Sequence, residues 1–170
     1  MSIAVSPAHV VLTIGSKGSA VRQLQRLLNL RLQALEMTDM ISVFVDGVFG
    51  RETLTAVKYL QCVGGFPVNG RVGDGLITFL TAGARGLPVM SLGSRSTGVL
   101  AVQQAILRAR ISVLPDGEFG PRTEQAVKTY QEQMGLLADG IVGPQTWDRV
   151  VRSRLMELPC LSLLPNPYRL

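Results

Sequence analysis

The chain has 170 residues, 46% hydrophobic and 17% charged, a composition that can bury a core and excludes intrinsic disorder. Its net charge of +5 comes without any run of five basic residues and without a basic stripe alternating with aromatics, so no nucleic-acid surface is legible. No apolar run approaches the roughly 18 residues of a membrane span, and the length admits one ordinary domain or two small ones.

The first segment, "MSIAVSPAHVVLTIG", is apolar but has no basic lead and is interrupted by Pro7 and His9, so it does not read as a secretory signal. The chain is then cytosolic, or has lost a signal, or leaves the cell by another route. Residues 1–11 are expected to be a tail. The next predicted element is a helix over 19–35, with Val21, Leu24 and Leu28 on one face. A turn follows at Asp46-Gly47, then a helix over 51–64 with Ala56, Val57, Leu60 and Val63 aligned. A second turn at Asn69-Gly70 precedes a helix over 74–82 carrying Ile77 and Leu80. The stretch 83–89, small-residue-rich and stopped by Pro88, reads as a linker.

The second half repeats the first. "LTIGSKGSAVRQLQRLLN" (12–29) matches "MSLGSRSTGVLAVQQAIL" (90–107) at an offset of 78, and "DGVFGRETLTAVKYLQ" (46–61) matches "DGEFGPRTEQAVKTYQ" (116–131) at an offset of 70. The difference leaves eight extra residues in the first copy, in or near "RLQALEMTDMISVFV". Helices are therefore expected over 96–110, 121–134 and 144–157, on the apolar faces begun by Val99, Val102, Ile106, then Ala126, Val127, Tyr130, then Trp147 and Val150. The tail 157–170, with prolines at 159, 165 and 167, is expected to be non-helical, its leucines lying on a domain.

Inside each copy the turn itself recurs: DGVFG, NGRVG, DGEFG and DGIVG begin at Asp46, Asn69, Asp116 and Asp139, each pair 23 residues apart. Asp-Gly and Asn-Gly favour a positive φ. The apolar Phe49, Val72, Phe119 or Val142 then serves as an inward anchor, the next glycine as an N-cap, and Pro121 or Pro144 as the first helical residue. The fold class is all-α: two tandem three-helix bundles, residues 12–82 and 90–156, joined by a short linker. A unit of about 70 residues buries only around 60% of its unfolded surface and is marginal alone, so the copies are free to pack together.

This order of motifs resembles the peptidoglycan-binding domain type 1 family, as a tandem pair over roughly 12–80 and 90–152. "DGEFGPRTEQAVKTYQEQMGLLADGIVGPQTWDRV" (116–150) fits almost position by position. The first copy departs, with Asn69 for the second Asp, "VGDGLITFL" for "VGPQTWDRV", and the insertion. The resemblance implies an orthogonal three-helix fold and non-covalent binding of cell-wall peptidoglycan, glycan strand or stem peptide, in a targeting or anchoring role. A wall hydrolase is the partner that the resemblance implies, and a particle protein the partner in the competing reading. The competing reading is a structural or interaction protein, part of a phage or injection particle or an adaptor, that reuses the fold.

No enzyme is expected. A catalytic zinc needs three protein ligands, and the chain has one histidine, His9. No metal and no cofactor is expected. Cys–His catalysis would need His9 to reach Cys62 or Cys160, and Glu118, Glu124 and Glu132 read as charges on a solvated helix face. The two cysteines, 98 residues apart, do not make a disulfide framework and are expected to be free thiols, since a bridge would require export.

The candidate ligand contacts are Arg51, Arg122, Asp116, Tyr130, Gln131, Asp139 and Trp147. Trp147 aligns with Ile77 and falls on an apolar face, so core packing competes with sugar stacking. Tyr130 aligns with Leu60; its ring belongs to the core while its hydroxyl reaches polar groups or ligand. Gln25, Gln61, Gln103 and Gln131 sit on otherwise apolar faces, where a buried amide must be hydrogen-bonded, and pinning of the turn backbones is expected. Asp46, Asp116 and Asp139 accept local backbone bonds in the plain reading; a calcium loop would need more oxygen ligands than one carboxylate per motif. Arg51 and Arg122, in the first turn of their helices, offer a bidentate grip on a carboxylate. The helix starts at the four turns add donors for an anion.

Overall fold

The computed structural model describes residues 11–164; the expectations for His9, for most of the N-terminal tail and for 165–170 lie outside the described residues. The element order is α1 (Ser19–Ala34), α2 (Arg51–Val63), α3 (Asp74–Ala82), a 3-10 turn (Gly83–Gly86), α4 (Thr97–Arg108), α5 (Pro121–Gln133), α6 (Pro144–Arg154) and α7 (Leu158–Leu161). The chain is all-α, with two copies of the same three-helix unit, as the periodicity predicts. Each copy is closed by two isolated antiparallel bridges at equivalent places: Leu12 with Val72 and Lys17 with Val48 in the first, Met90 with Val142 and Arg95 with Glu118 in the second.

The helix starts follow the turn chemistry. Gly50, Gly73, Gly120 and Gly143 cap α2, α3, α5 and α6 in extended conformations, and Pro121 and Pro144 open α5 and α6, where a missing N–H costs nothing. The turn glycines Gly47, Gly70, Gly117 and Gly140 all have positive φ, between 72° and 81°.

The insertion is built into the core. Helix α1 runs for 16 residues against 12 in α4, and the segment 35–45 that follows is longer than its counterpart. Leu35, Met37, Ile41 and Val43 of that segment are buried. Asn29 holds it down: its Nδ2 donates to the Val43 carbonyl at 2.7 Å and its Oδ1 accepts from the Val43 N–H at 2.9 Å.

The two copies share one continuous hydrophobic core. The end of α2 seats against the second copy so closely that a Cβ at Gly65 would lie 2.9 Å from the Ala101 Cβ and 3.2 Å from the Gly98 Cα. Tyr59, on α2, donates to the Leu155 carbonyl at 2.9 Å, and burial pushes its phenol up to about 12. Arg154 is buried and donates to the Cys62 carbonyl from Nε at 3.2 Å and Nη2 at 3.0 Å, and from Nη1 to the Ala101 carbonyl at 3.2 Å. Glu157, also buried, pairs with Arg108 and with Arg154.

Two expectations are corrected here. Cys62 and Cys160 are not free thiols: they form a disulfide with a Cα–Cα separation of 5.6 Å, tying the end of α2 to α7. Sequence distance concealed this, because only the packing of one copy on the other brings these residues together. The C-terminal segment is also helical for one turn, Leu158–Leu161; Pro159 sits within its first turn, where no donor is required.

Candidate functional site

Each turn is held by a glutamine from the preceding helix. Gln103 donates from Nε2 to Asp116 Oδ1 at 2.9 Å, to the Glu118 carbonyl at 3.0 Å and to Thr123 Oγ1 at 3.1 Å, while its Oε1 accepts from the Gly117 N–H at 2.8 Å. Gln25 makes the same four bonds to Asp46, Val48, Thr53 and Gly47 at 2.8–3.2 Å. Gln131 repeats them with Asp139, Ile141, Thr146 and Gly140. The fourth corner is one bond short. Gln61 reaches Asn69, the Arg71 carbonyl and the Gly70 N–H, but where the others have a threonine this corner has the buried apolar Leu76.

The turn's own acid or amide completes the corner, accepting the N–H two residues on: Val48 to Asp46 at 2.7 Å, Glu118 to Asp116 at 2.9 Å, Ile141 to Asp139 at 2.8 Å, Arg71 to Asn69 at 2.9 Å. The amide of Gln25, with the Val48 N–H, holds the Asp46 carboxyl below the usual carboxylate range, and Gln103 with the Glu118 N–H does the same for Asp116. The glutamines pin the turns, and they do it with every amide N–H occupied.

This geometry sorts the sequence-predicted contacts. Trp147, Tyr130 and Gln131 are placed out of reach of a ligand. The Trp147 ring has 0% exposure and its Nε1 donates to the Pro88 carbonyl at 2.8 Å, so the indole anchors the linker and cannot act as a sugar platform. Tyr130 is buried, and burial raises its phenol above the ordinary value despite opposing contributions from Ser153 and Arg149. Gln131 is consumed by its corner. Arg51, Arg122, Asp116 and Asp139 are exposed at the helix starts and turns.

The structure adds a groove that the sequence reading missed. A groove of about 400 Å3 opens beside the first corner, lined among others by Phe44, Asp46, Val48, Arg51 and Glu52. Phe44 is 76% exposed, an unusual place for a phenyl ring. The signal was present in "ISVF" at 41–44: Ile41 and Val43 point into the core and Ser42 and Phe44 away from it. The aligned residue in the second copy, Leu114, is 70% exposed.

A second opening, of about 690 Å3, lies where the copies meet, lined by residues of α1, the 3-10 turn, the turn after α5 and the start of α6. Among the described residues no group of three His, Cys, Asp or Glu is placed to hold a metal ion, and no helix is long and apolar enough to cross a membrane.

Two helical corner units of this kind, fused through one core, define a tandem repeat of one small all-α module. The family described as "Putative peptidoglycan binding domain" matches the chain twice, at residues 17–80 and 95–150, and the chain belongs to that family. It is similar to the N-acetylmuramoyl-L-alanine amidase CwlL of Bacillus licheniformis, 32% identical over 164 residues, covering 80% of this chain and 44% of the amidase. The amidase CwlM of Mycobacterium tuberculosis is 30% identical over 146 residues, with 79% and 36% covered. A zinc D-Ala-D-Ala carboxypeptidase of Streptomyces albus G is 51% identical over 35 residues, 21% of this chain and 14% of that protein. The chain thus spans less than half the length of these curated relatives. A crystal structure of a peptidoglycan-binding protein from Clostridioides difficile, in complex with glutamine hydroxamate, matches 37% of this chain and 40% of its own at 38% identity and a TM-score of 0.36.

Proposed function

We propose that this chain binds bacterial peptidoglycan non-covalently through both copies, cleaves no bond in it, and serves to target or anchor a wall hydrolase or particle protein. The observation that carries the reading is the doubled family match, with the same pinned corner built four times. The amidase relatives are compatible with it: more than half of CwlL lies outside its match to this chain, room enough for a separate catalytic domain. The contacts are the exposed rims of the corners, Phe44 with Asp46 and Arg51 in the first copy, and Leu114 with Asp116 and Arg122 in the second, with Asp139 at the later turn. An exposed ring offers a stacking face to a sugar, and a guanidinium offers paired donors to a carboxylate. Two weak sites on one chain gain from high effective concentration on a repeating polymer. The Cys62–Cys160 bond favours an oxidising compartment, and so favours this reading over an intracellular adaptor.

The test is co-sedimentation of the full chain with purified insoluble sacculi. The shared core argues against testing separated halves. Retention should fall several-fold in Phe44→Ala/Arg51→Ala and in Leu114→Ala/Arg122→Ala, and further when all four are combined. Pelleting no better than an unrelated protein of similar charge would end the proposal, and release of soluble muropeptides would end its non-catalytic part.

A further inference from the structure

The opening between the copies has its own chemistry. Three arginines from three separate elements line it: Arg31 from the extra turn of α1, Arg85 from the 3-10 turn, and Arg149 from α6. Against them stands one acid, Asp148, whose carboxylate pairs with Arg152 at 3.2 Å.

Arg31 is held in place before any ligand arrives. Its Nε and Nη2 donate to the Leu80 carbonyl at 3.2 and 3.0 Å, and its guanidinium lies 5.6 Å from the centroid of the Phe79 ring. Gly83, at a φ of 63°, leaves the space: a Cβ there would come within 2.7 Å of Arg31 Nη1. That Nη1 has no hydrogen bond to a described residue, and none of the three arginines has a carboxylate partner among the described residues. Partial burial pulls the Arg31 guanidinium down from its ordinary value with no acid to offset it. A fixed, half-buried cation without a counter-ion, in a cleft with two more cations, is an arrangement completed by an anion.

We propose that this cleft is a second ligand site, distinct from the corner rims, that takes a carboxylate-bearing peptide, the stem peptide of peptidoglycan. The proposal rests on the wall-binding reading and extends it. Arg31 and Arg149 grip carboxylates from opposite copies, Arg85 closes the linker side, and Leu136 and the Gln145 amide give the peptide backbone an apolar wall and a polar partner. The site exists only while the copies are docked, and Arg31 lies in the extra helical turn the second copy lacks. The divergent insertion in the first copy then has a function.

The experiment is calorimetric titration of the full, oxidised chain with a soluble stem tetrapeptide, the same peptide with its carboxylates amidated, a peptide-free glycan oligomer, and inorganic polyphosphate. Arg85→Glu/Arg149→Glu is the test variant, since both side chains are exposed and form no ion pair with a described residue; thermal melting checks its fold. The wild type should bind the tetrapeptide at least tenfold more tightly than the amidated peptide. The variant should lose at least tenfold on the tetrapeptide and nothing on the glycan. Equal tetrapeptide binding by wild type and variant, no tetrapeptide binding by the wild type, or equal affinity for polyphosphate would overturn the cleft assignment. Sacculus pelleting is run in parallel: wild type that pellets while the cleft arm fails leaves the wall-binding reading standing, and wild type that does not pellet removes that reading by itself.

Discussion

Arg154 reaches back 92 residues to donate twice to the carbonyl oxygen of Cys62, and so closes the helix end of the first copy with a side chain of the second. The same guanidinium faces Glu157, whose Oε2 is buried without a hydrogen bond and lies 3.6 Å from Arg154 Nη1. Burial raises the Glu157 carboxyl even though Arg154 and Arg108 pull it down. Removing one partner leaves an incompletely paired buried charge and orphaned carbonyls. Arg154→Met should therefore cost about 3–5 kcal/mol, and Arg154→Met/Glu157→Gln should cost less than the sum of its single changes. Urea unfolding of the four proteins checks both. Additive effects would show that the pair is not coupled.

The disulfide joins the same two regions. In the chain-entropy view a bridge across a separation of 98 residues stabilises by up to about 4–5 kcal/mol, with measured losses of about 2–5 kcal/mol on removing a native bond. Cys62→Ser/Cys160→Ser should melt well below the oxidised wild type. Dithiothreitol should bring the wild type down to that level and leave the double variant unmoved.

The four corners form an internal mutation series. Gln131 makes four side-chain bonds and Gln61 three, because Leu76 stands where Gln131 finds Thr146. Truncating either glutamine strands a glycine N–H and a carbonyl, at about 1–3 kcal/mol per buried group left unmade. Gln131→Ala should be the more destabilising of the two, and Thr146→Val should remove most of the difference. Chemical denaturation in which Gln61→Ala costs as much as Gln131→Ala would contradict this.

The corners were legible because they are local. Asp-Gly, an apolar anchor, a capping glycine and a proline are written in consecutive residues, and the glutamines announced themselves as polar residues on apolar faces. The helices were legible for the same reason. What sequence could not carry was the docking of one copy on the other. Cys62 and Cys160, Tyr59 and Leu155, and Arg154 and Cys62 meet only through that packing, and nothing near any of them in the chain marks the contact. Trp147 is ambiguous in sequence between core and platform, because the Pro88 carbonyl that its Nε1 donates to lies 59 residues away. Phe44 is the opposite case. Its exposure followed from a two-residue alternation in a stretch that otherwise read as unaligned insertion.

Acid should weaken the fold through two corners. Asp46 and Asp116 are held below the usual carboxylate value, chiefly by Gln25 and Gln103. Their folded values thus lie below their unfolded ones, about 3.9. The stabilisation is fully present above the unfolded value and is lost as pH falls through the folded one. Asn69 already fills this place at the fourth corner, so Asp46→Asn/Asp116→Asn should fold. Melting temperatures followed from pH 7 to pH 2 should fall less steeply for that variant than for the wild type; identical acid limbs would assign the acid sensitivity to other groups.

Trp147, the single tryptophan of the chain, gives a direct optical check on where the structure puts it. With 0% exposure and its N–H bonded to the Pro88 carbonyl, it should emit at the blue end of the indole range and resist quenching by acrylamide. Its emission should stay fixed when a peptide-free glycan is added, because sugar contacts at the corner rims leave the indole sealed. A Pro88 substitution cannot remove a backbone carbonyl, so the bond is tested from the other side. Trp147→Phe keeps an aromatic core while orphaning the acceptor, and should cost about 1–3 kcal/mol in urea unfolding with sacculus retention unchanged. Loss of retention in a folded Trp147→Phe protein would return the indole to the ligand site and overturn its assignment to the core.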